Sequence, residues 1–219
     1  MPVAPIGAPC GGDDRYWGAE NREAAKALTQ RTADWYAARK GRLTASSAYK
    51  ALGLQFRGRL SDVVEGVLFG TSAGGETADM RWGTAHEDEG LAAYNAIADG
   101  PDVRPTGLWA LKGQPDPMTG AKGAQRSWFG ASPDGVVVAP ADAKPLGLVE
   151  VKCKSPLAFD RNAPHGGVGP LALTGVHLDE RKKTPTGYAS PSTLLQEYVY
   201  LQVILQLRAT ELPWCDVVF

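Results

Sequence analysis

Glu150 and Lys152 are an acid and a base two residues apart in an apolar segment of the chain. In a β-strand, residues i and i+2 lie on the same face, so these side chains would be neighbours. The surrounding Leu148, Val149 and Val151 make burial of both charges costly unless they pair or hold a metal ion. The pattern therefore predicts a metal-binding strand, with an ordinary amphipathic strand in water as the common alternative.

A second carboxylate, Asp134, lies at the turn signal Pro133-Asp134-Gly135. Pro140 and Pro145 favour a hairpin loop between this turn and the strand of Glu150, and a hairpin would bring Asp134 and Glu150 side by side. Two converging carboxylates form the hard-oxygen site that Mg²⁺ and Mn²⁺ prefer. One or two such ions can bind a scissile phosphate and generate hydroxide from water, so the pattern indicates a phosphodiester hydrolase.

Lys152 and a third acid would complete the chemistry of this site. A lysine next to the metal can orient or deprotonate the attacking water and stabilise the charge of the transition state. Glu87 is the best third acid, because it follows Gly83 at the predicted first turn of a helix, and Asp88 and Glu89 are its rivals. An acid in a first helical turn is also ordinary dipole chemistry, so a purely structural role for Glu87 stays open.

The last predicted helix carries Tyr198, Gln202 and Gln206 on one line, at i, i+4 and i+8. Buried glutamines need hydrogen-bond partners. The stripe therefore faces either solvent or the active-site cleft, where Gln202 would hold a metal-bound water or a phosphate with Tyr198 beside it.

The elements that must position these residues follow from periodicity and caps. Helices are predicted over Ala33–Arg39 with Thr32 as N-cap and Gly41 as stop, from Thr44 or Ser46 to about Leu52, over Leu60–Phe69, Thr84–Ala98 and Ser192–Arg208. Strands are predicted over Thr106–Leu111, Ser127–Ala131, Val136–Val138, Leu146–Cys153 and Trp214–Phe219, with residues 154–191 as a long loop region. The pattern predicts an α/β fold with a central mixed sheet flanked by helices.

The 219 residues suit one large domain, placed at residues 31–219 after a leader and N-terminal segment of residues 1–30. The net charge of −1 argues against non-specific coating of DNA and for a local basic patch in an enclosed site. Candidates for that patch are Lys112, Lys122, Arg126, Lys152, Lys154 and the run Arg181, Lys182, Lys183, with a solvated loop as the alternative for the run.

The three cysteines, Cys10, Cys153 and Cys215, show no regular spacing and are interpreted as reduced thiols. No apolar run approaches membrane-spanning length, and the N-terminus lacks the order of a secretory signal. We therefore expect a cytoplasmic protein, in a bacterium or a phage-infected host, without a membrane partner.

Five motifs, taken in order, resemble the lambda exonuclease family, also called YqaJ-like viral recombinases. They are Trp35 to Ser46 (W-x-x-x-R-x-G-x-I/L-T-A-S), Trp82 to Glu87 (W-G-x-x-x-E), Ser132-Pro133-Asp134-Gly135, Val149 to Cys153 (L/V-E-L/V-K-C), and the late pair Tyr198 and Gln202. The resemblance covers nearly the whole chain. The long, proline-rich segment 154–191 departs from the pattern, so DNA contacts there stay open.

The resemblance implies a restriction-endonuclease-like core of the PD-(D/E)xK type and Mg²⁺-dependent 5′→3′ digestion of one strand of duplex DNA to mononucleotides, leaving 3′ overhangs. It implies a ring trimer that works with a single-strand annealing protein in phage-type recombination. We expect two ions, with Mn²⁺ able to replace Mg²⁺. By match, Asp134, Glu150 and the carbonyl of Val151 would hold metal, Lys152 would be catalytic and Glu87 would support metal-bound waters. Arg39 and Ser46 would contact the 5′ phosphate.

Two other functions fit the same residues. A nicking or restriction-type endonuclease would use the same core and site. A non-catalytic DNA-binding or assembly subunit would have a degenerate core, against which the intact Asp134, Glu150 and Lys152 argue.

Overall fold

Most of the helices precede most of the strands along the computed structural model, which describes residues 22–53, 60–69, 76–97, 102–111, 128–153, 175–179 and 197–219. The helices are α1 (Arg22–Lys26), α2 (Ala33–Arg39), α3 (Ala48–Ala51), α4 (Leu60–Phe69), α5 (Ala78–Ile97) and α6 (Glu197–Thr210). The strands are β1 (Leu43–Thr44), β2 (Asp102–Arg104), β3 (Trp109–Ala110), β4 (Phe129–Ala131), β5 (Gly135–Val138), β6 (Pro145–Val151), β7 (Gly175–Asp179) and β8 (Trp214–Val218). None of the described helices is both long enough and apolar enough to cross a membrane.

The chain forms two compact units, each assembled from three separate stretches. Unit 1 takes Met1–Ala73, Thr106–Ser132 and Glu197–Glu211, and unit 2 takes Gly74–Pro105, Pro133–Gln196 and Leu212–Phe219. The predicted α/β class is confirmed, with the strands distributed over two sheets rather than one central sheet. The assignment of residues 31–219 to a single nuclease domain stays a prediction.

Unit 2 contains a five-stranded mixed sheet in the order β2-β5-β6-β8-β7. The strand β6 pairs antiparallel with β5 and parallel with β8. Leu148 and Val149, neighbours on β6, are both fully buried, so both faces of this strand are covered. The predicted strands 136–138 and 146–153 are confirmed, although the second ends at Val151. The predicted loop region 154–191 contains the strand β7, and its other residues lie outside the described part of the chain.

The long helix α5 packs along β6 in unit 2. Leu91 and Tyr94 contact the buried cluster of Val137, Val149 and Val151. The helix begins at Ala78 rather than at the predicted Thr84. The Trp82–Gly83 pair, where glycine lowers helix propensity, therefore lies inside α5.

Two glycines on α5 differ in the space around them. A Cβ on Gly90 would stand 2.5 Å from Cγ1 of Val151, whereas one on Gly83 would stand 3.4 Å from the carbonyl oxygen of Cys153, an ordinary contact. A side chain at Gly90 therefore requires the neighbouring atoms to shift, whereas one at Gly83 does not.

We therefore expect Gly83→Ala to stabilise the protein by up to about 1 kcal/mol, through helix propensity. Gly90→Ala should instead destabilise it by about 1–2 kcal/mol, because overpacking exceeds that gain. Denaturant unfolding of both variants measures the difference, and each serves as the control for the other. Equal effects of the two substitutions would contradict this packing of α5 on β6.

Unit 1 contains a three-stranded sheet in the order β1-β4-β3, with β1 parallel and β3 antiparallel to β4. The predicted strands over 106–111 and 127–131 are shorter in the structure, as β3 and β4. The helix α1, in the segment expected to be a leader, is tied to this sheet because Leu108 donates its N–H to the carbonyl of Ala25. Ala25, Leu108 and residues of α2 share one buried cluster.

Local caps and turns set the bounds of α2 and the start of α3. The helix has the predicted bounds, and the hydroxyl oxygen of its N-cap Thr32 accepts the N–H of Trp35 at 3.4 Å. Gly41 follows it with a left-handed φ of 79°, a conformation that favours glycine. The expectation of a cap at Thr44 or Ser46 for α3 is wrong, because Thr44 belongs to β1 and the N-cap is Ser47.

Candidate active site

Asp134 and Glu150 meet across the β5–β6 hairpin of unit 2. Gly135 pairs with Val149, so the residue before β5 lies beside the residue after Val149. The N–H of Val151 donates to Oδ2 of Asp134 at 2.7 Å, which fixes this carboxylate against the end of β6. The predicted pairing of the two acids by a hairpin is therefore confirmed as geometry.

Glu150 is a buried carboxylate with a lysine partner. Its side chain is 2% exposed, whereas that of Lys152 is 24% exposed, and the ammonium of Lys152 donates to Oε1 of Glu150. The two residues thus share one face of the strand end, as the i, i+2 spacing predicts. Pairing with the lysine offsets part of the cost of burying the Glu150 charge.

Glu87 comes from α5 and reaches the same group of charges. Burial, then the charges of Glu150 and Glu87, raise the pKa of Asp134 well above its usual value, while Lys152 and the Val151 N–H lower it. The expectation that Glu87 lies in a first helical turn is wrong, because α5 begins nine residues earlier at Ala78. The dipole of a helix start therefore does not account for this acid.

The rival acids Asp88 and Glu89 are exposed, whereas Glu87 is half-buried. Residues 83, 87 and 90 lie on one face of α5, and the Cβ positions of the two glycines of this set lie close to Cys153 and Val151. The helix therefore turns Glu87, rather than its neighbours, towards the strand end.

The donor set at this strand end fits a hard divalent cation in charge and atom type. Three carboxylates, from Glu87, Asp134 and Glu150, act on one another, and their nearby cation is Lys152. In the described part of the chain, no group of three or more His, Cys, Asp or Glu side chains is already arranged so that it could hold a metal ion. A bound cation would relieve the repulsion that raises the pKa of Asp134.

Unit 1 contains a separate polar pocket around Arg39. Its guanidinium stacks on the Trp35 ring, 4.1 Å from the centroid, and donates to the hydroxyls of Ser132 at 3.5 Å and Thr44 at 3.4 Å. The Thr44 hydroxyl in turn lies 3.3 Å from that of Ser46. The structure therefore brings Arg39 and Ser46 into one pocket, as the sequence predicts, with Thr44 between them.

The Arg39 pocket is suited to an anion. Burial lowers the pKa of Arg39 to about 10, so the side chain stays cationic at neutral pH. The hydrogen-bond partners that the structure gives it are hydroxyls, which are weak partners for a guanidinium compared with a carboxylate or a phosphate. Sequence reasoning missed Thr44, Trp35 and Ser132 as members of this pocket, although each lies inside a motif.

The glutamine stripe of α6 lies in unit 1 and is buried. Gln202 is 8% exposed and Gln206 is 1% exposed, so a stripe facing solvent is wrong for these two residues. The half-buried ring of Tyr198 packs against Tyr49, with centroids 5.5 Å apart. The roles expected for Gln202 and Tyr198 on phosphate or DNA stay predictions.

Some sequence predictions fall outside the described residues. These are the leader with Cys10, the N-cap Ser192 of the last helix, and the basic candidates Lys112, Lys122, Arg126, Lys154, Arg181, Lys182 and Lys183. Cys153 and Cys215 are free thiols, as expected.

Two solved structures of the alkaline exonuclease LHK-Exo from Laribacter hongkongensis are similar to this chain. The complex with dAMP matches with a TM-score of 0.51 and 24% identity, and a second structure matches with a TM-score of 0.48 and 23% identity. Each match covers 85% of this chain and 72% of that chain. The first likeness defines the class of fold, a mixed α/β nuclease fold.

The chain belongs to the YqaJ-like viral recombinase family, whose domain model matches residues 34–213. The resemblance carried by the five motifs is thereby confirmed. No curated protein sequence matches the chain.

Proposed function

We propose that this protein is a Mg²⁺-dependent 5′→3′ exonuclease that digests one strand of linear double-stranded DNA to mononucleotides and leaves 3′ overhangs. The observation that carries the proposal is the meeting of Asp134, Glu150, Glu87 and Lys152 at one strand end of unit 2. Carboxylates that hold a divalent cation, with a lysine beside them, can support metal-assisted phosphodiester hydrolysis.

In this proposal Asp134, Glu150 and the carbonyl of Val151 hold the metal, with two Mg²⁺ as the expected number and Mn²⁺ as a substitute. When bound, the cation neutralises charge on the scissile phosphate and makes water more acidic. The Val151 N–H holds Asp134 in place, since it donates to Oδ2 at 2.7 Å. The antiparallel register fixes Glu150 beside it.

Lys152 and Glu87 act on the attacking water. The Lys152 ammonium is anchored on Glu150 and partly exposed, so it can point towards solvent that enters the site. There the ammonium orients the attacking water or stabilises the developing negative charge. Alternatively, the neutral amine of Lys152 accepts a proton from that water. Glu87, from α5, supports the metal-bound waters. We propose Gln202 as a further ligand for solvent or phosphate.

The pocket of Arg39, Ser46 and Thr44 is proposed to bind the 5′ phosphate of the DNA end, with Tyr198 as a further DNA contact. Arginine presents several fixed donors that match a phosphate. Ser132 joins this pocket through its hydroxyl and lies two residues before Asp134 in the sequence. A 5′ phosphate bound there would hold the DNA end in one orientation.

We expect the wild-type protein to digest 5′-phosphorylated ends faster than 5′-hydroxyl ends. A charge-assisted hydrogen bond contributes about 1.5–3 kcal/mol, so Arg39→Ala should lose about 10- to 100-fold of that preference while its rate on 5′-hydroxyl ends changes little. Initial rates on the two end-labelled duplexes measure the effect. The exposed Arg208 on α6 provides the control, and Arg208→Ala should keep the preference. Full preference in Arg39→Ala would show that Arg39 is not the end sensor.

We further propose a ring-shaped homotrimer in the cytoplasm of a bacterium or an infected host, acting with a single-strand annealing protein in phage-type recombination. The resemblance carried by the five motifs implies this assembly, and the net charge of −1 favours concentrating basic residues in an enclosed channel. Light scattering at micromolar concentration should give the mass of three chains, and a monomer would contradict the ring.

A nicking or restriction-type endonuclease would use the same carboxylates, so substrate topology decides between the two. The proposed exonuclease degrades linear duplex, releases mononucleotides from one strand and spares closed circles. Cutting of closed circles would favour the endonuclease. Retention of DNA binding without any cleavage in Mg²⁺, compared with an EDTA control, would favour a non-catalytic subunit.

A further inference from the structure

The helix α5 and the end of β6 meet at Cys153. The Cys153 thiol donates to the carbonyl oxygen of His86, with Sγ 3.2 Å away. Its own carbonyl oxygen lies 3.4 Å from the Cβ position of Gly83, one turn earlier on the helix. One residue of the strand end therefore touches two successive turns of α5.

The turn of α5 that Cys153 contacts is also held from within the helix. The His86 ring stacks on the Trp82 ring, with centroids 3.8 Å apart and planes at 20°. Nδ1 of His86 lies 2.8 Å from the Trp82 carbonyl oxygen. His86 directly precedes Glu87, so these contacts restrict the backbone from which the Glu87 side chain extends.

The Cys153 thiol acts as the donor in its hydrogen bond to α5. A protonated thiol is a weak hydrogen-bond donor and a poor nucleophile or metal ligand. Lys152 contacts Glu150 and the adjacent Cys153 contacts α5, so neighbouring residues attach to different parts of the site.

We propose that Cys153 is a positioning residue for Glu87, which it holds beside Asp134 and Glu150 through the hydrogen bond of its thiol to the His86 carbonyl. This inference rests on the role of Glu87 in the proposed function. Residues that orient the groups around a metal typically change metal affinity or activity about 10- to 100-fold when replaced. Because a thiol is a weak donor, the expected effect is at the lower end of that range.

The test compares Cys153→Ala with Cys153→Ser, which keeps a donor. We expect Cys153→Ala to weaken Mn²⁺ binding, measured by calorimetry on the metal-free protein, by up to about tenfold and to lower kcat while KM for DNA changes little. Cys153→Ser should recover part of both losses. Cys215→Ala, which removes the other described thiol, is the control, and its effect should fall on thermal stability. Wild-type Mn²⁺ affinity and kcat in Cys153→Ala would overturn the proposal.

A double-mutant cycle separates positioning from general stability. In a Glu87→Gln background, Cys153→Ala should have little further effect on Mn²⁺ affinity, because the carboxylate that it positions is already gone. An additive effect would overturn the role of Cys153 while leaving the proposed function intact. If Glu87→Gln alone has wild-type Mn²⁺ affinity and activity, the role of Glu87 is wrong, and the positioning role of Cys153 fails with it.

Discussion

Lys152→Ala is expected to abolish cleavage, with kcat lower by about 10³-fold or more, while DNA binding is retained. A positioned acid–base group contributes about 10²–10⁴-fold, and loss of a cation next to the scissile phosphate adds to that. Single-turnover digestion of end-labelled duplex measures the rate, and a gel-shift assay in Ca²⁺ measures binding. Lys144→Ala is the control, since Lys144 is an exposed lysine on the hairpin loop between the same two strands.

Because Lys152 pairs with Glu150, Lys152→Ala should also change the stability of the protein. Removing the lysine takes away the ammonium that contacts the buried Glu150 carboxylate, which should destabilise the metal-free protein by about 3 kcal/mol. Mn²⁺ can then replace the lost positive charge, so the metal-induced rise in Tm should be larger in Lys152→Ala than in the wild type. Near wild-type turnover in the variant would remove Lys152 from the mechanism.

Asp134→Asn should also abolish activity and should weaken Mn²⁺ binding, yet it should make the metal-free protein more stable at neutral pH. The amide oxygen can still accept the Val151 N–H, whereas the repulsion from Glu150 and Glu87 is gone. The pKa of Asp134 is raised in the folded protein by burial and by those two charges. Each unit of such a shift costs the folded state about 1.4 kcal/mol once the carboxylate is ionised.

The gain in stability of the metal-free Asp134→Asn variant should depend on pH. Below the unfolded pKa the carboxyl is protonated in both states, so the wild type and Asp134→Asn should have similar stabilities there. The advantage of the variant grows as the pH rises from the unfolded pKa to the folded pKa, and it is complete above the folded pKa. Saturating Mn²⁺ should reverse the order at neutral pH. Thermal unfolding with and without Mn²⁺ measures both effects, and unaltered Mn²⁺ binding in this variant and in Glu150→Ala would refute the metal assignment.

The pairing of Asp134 with Glu150 could be predicted from the sequence because its causes are local. A turn signal, two prolines in a short loop and the alternation of a strand determine which residues face each other across a hairpin. The cap at Thr32 and the Gly41 stop of α2 are local in the same way.

Features that depend on packing between distant segments could not be predicted. The contact of α5 with the end of β6 joins Gly83 to Cys153, seventy residues later in the sequence. The place of Ser132 in the Arg39 pocket depends on β4 folding beside β1. No periodicity in residues 154–191 indicated the strand β7, which is specified by its pairing with β8.

The large sequence separation between paired strands affects how fast the protein can fold. Each unit draws on three separated stretches, and the parallel pairs β1–β4 and β6–β8 join strands far apart in sequence, as Leu43 with Phe129 and Leu148 with Cys215. Such pairings have a high entropic cost of loop closure, so folding should be slow compared with that of a helical bundle of this size. The strand β8 can pair with the strand that carries Glu150 only after the ribosome has released both strands and all the residues between them.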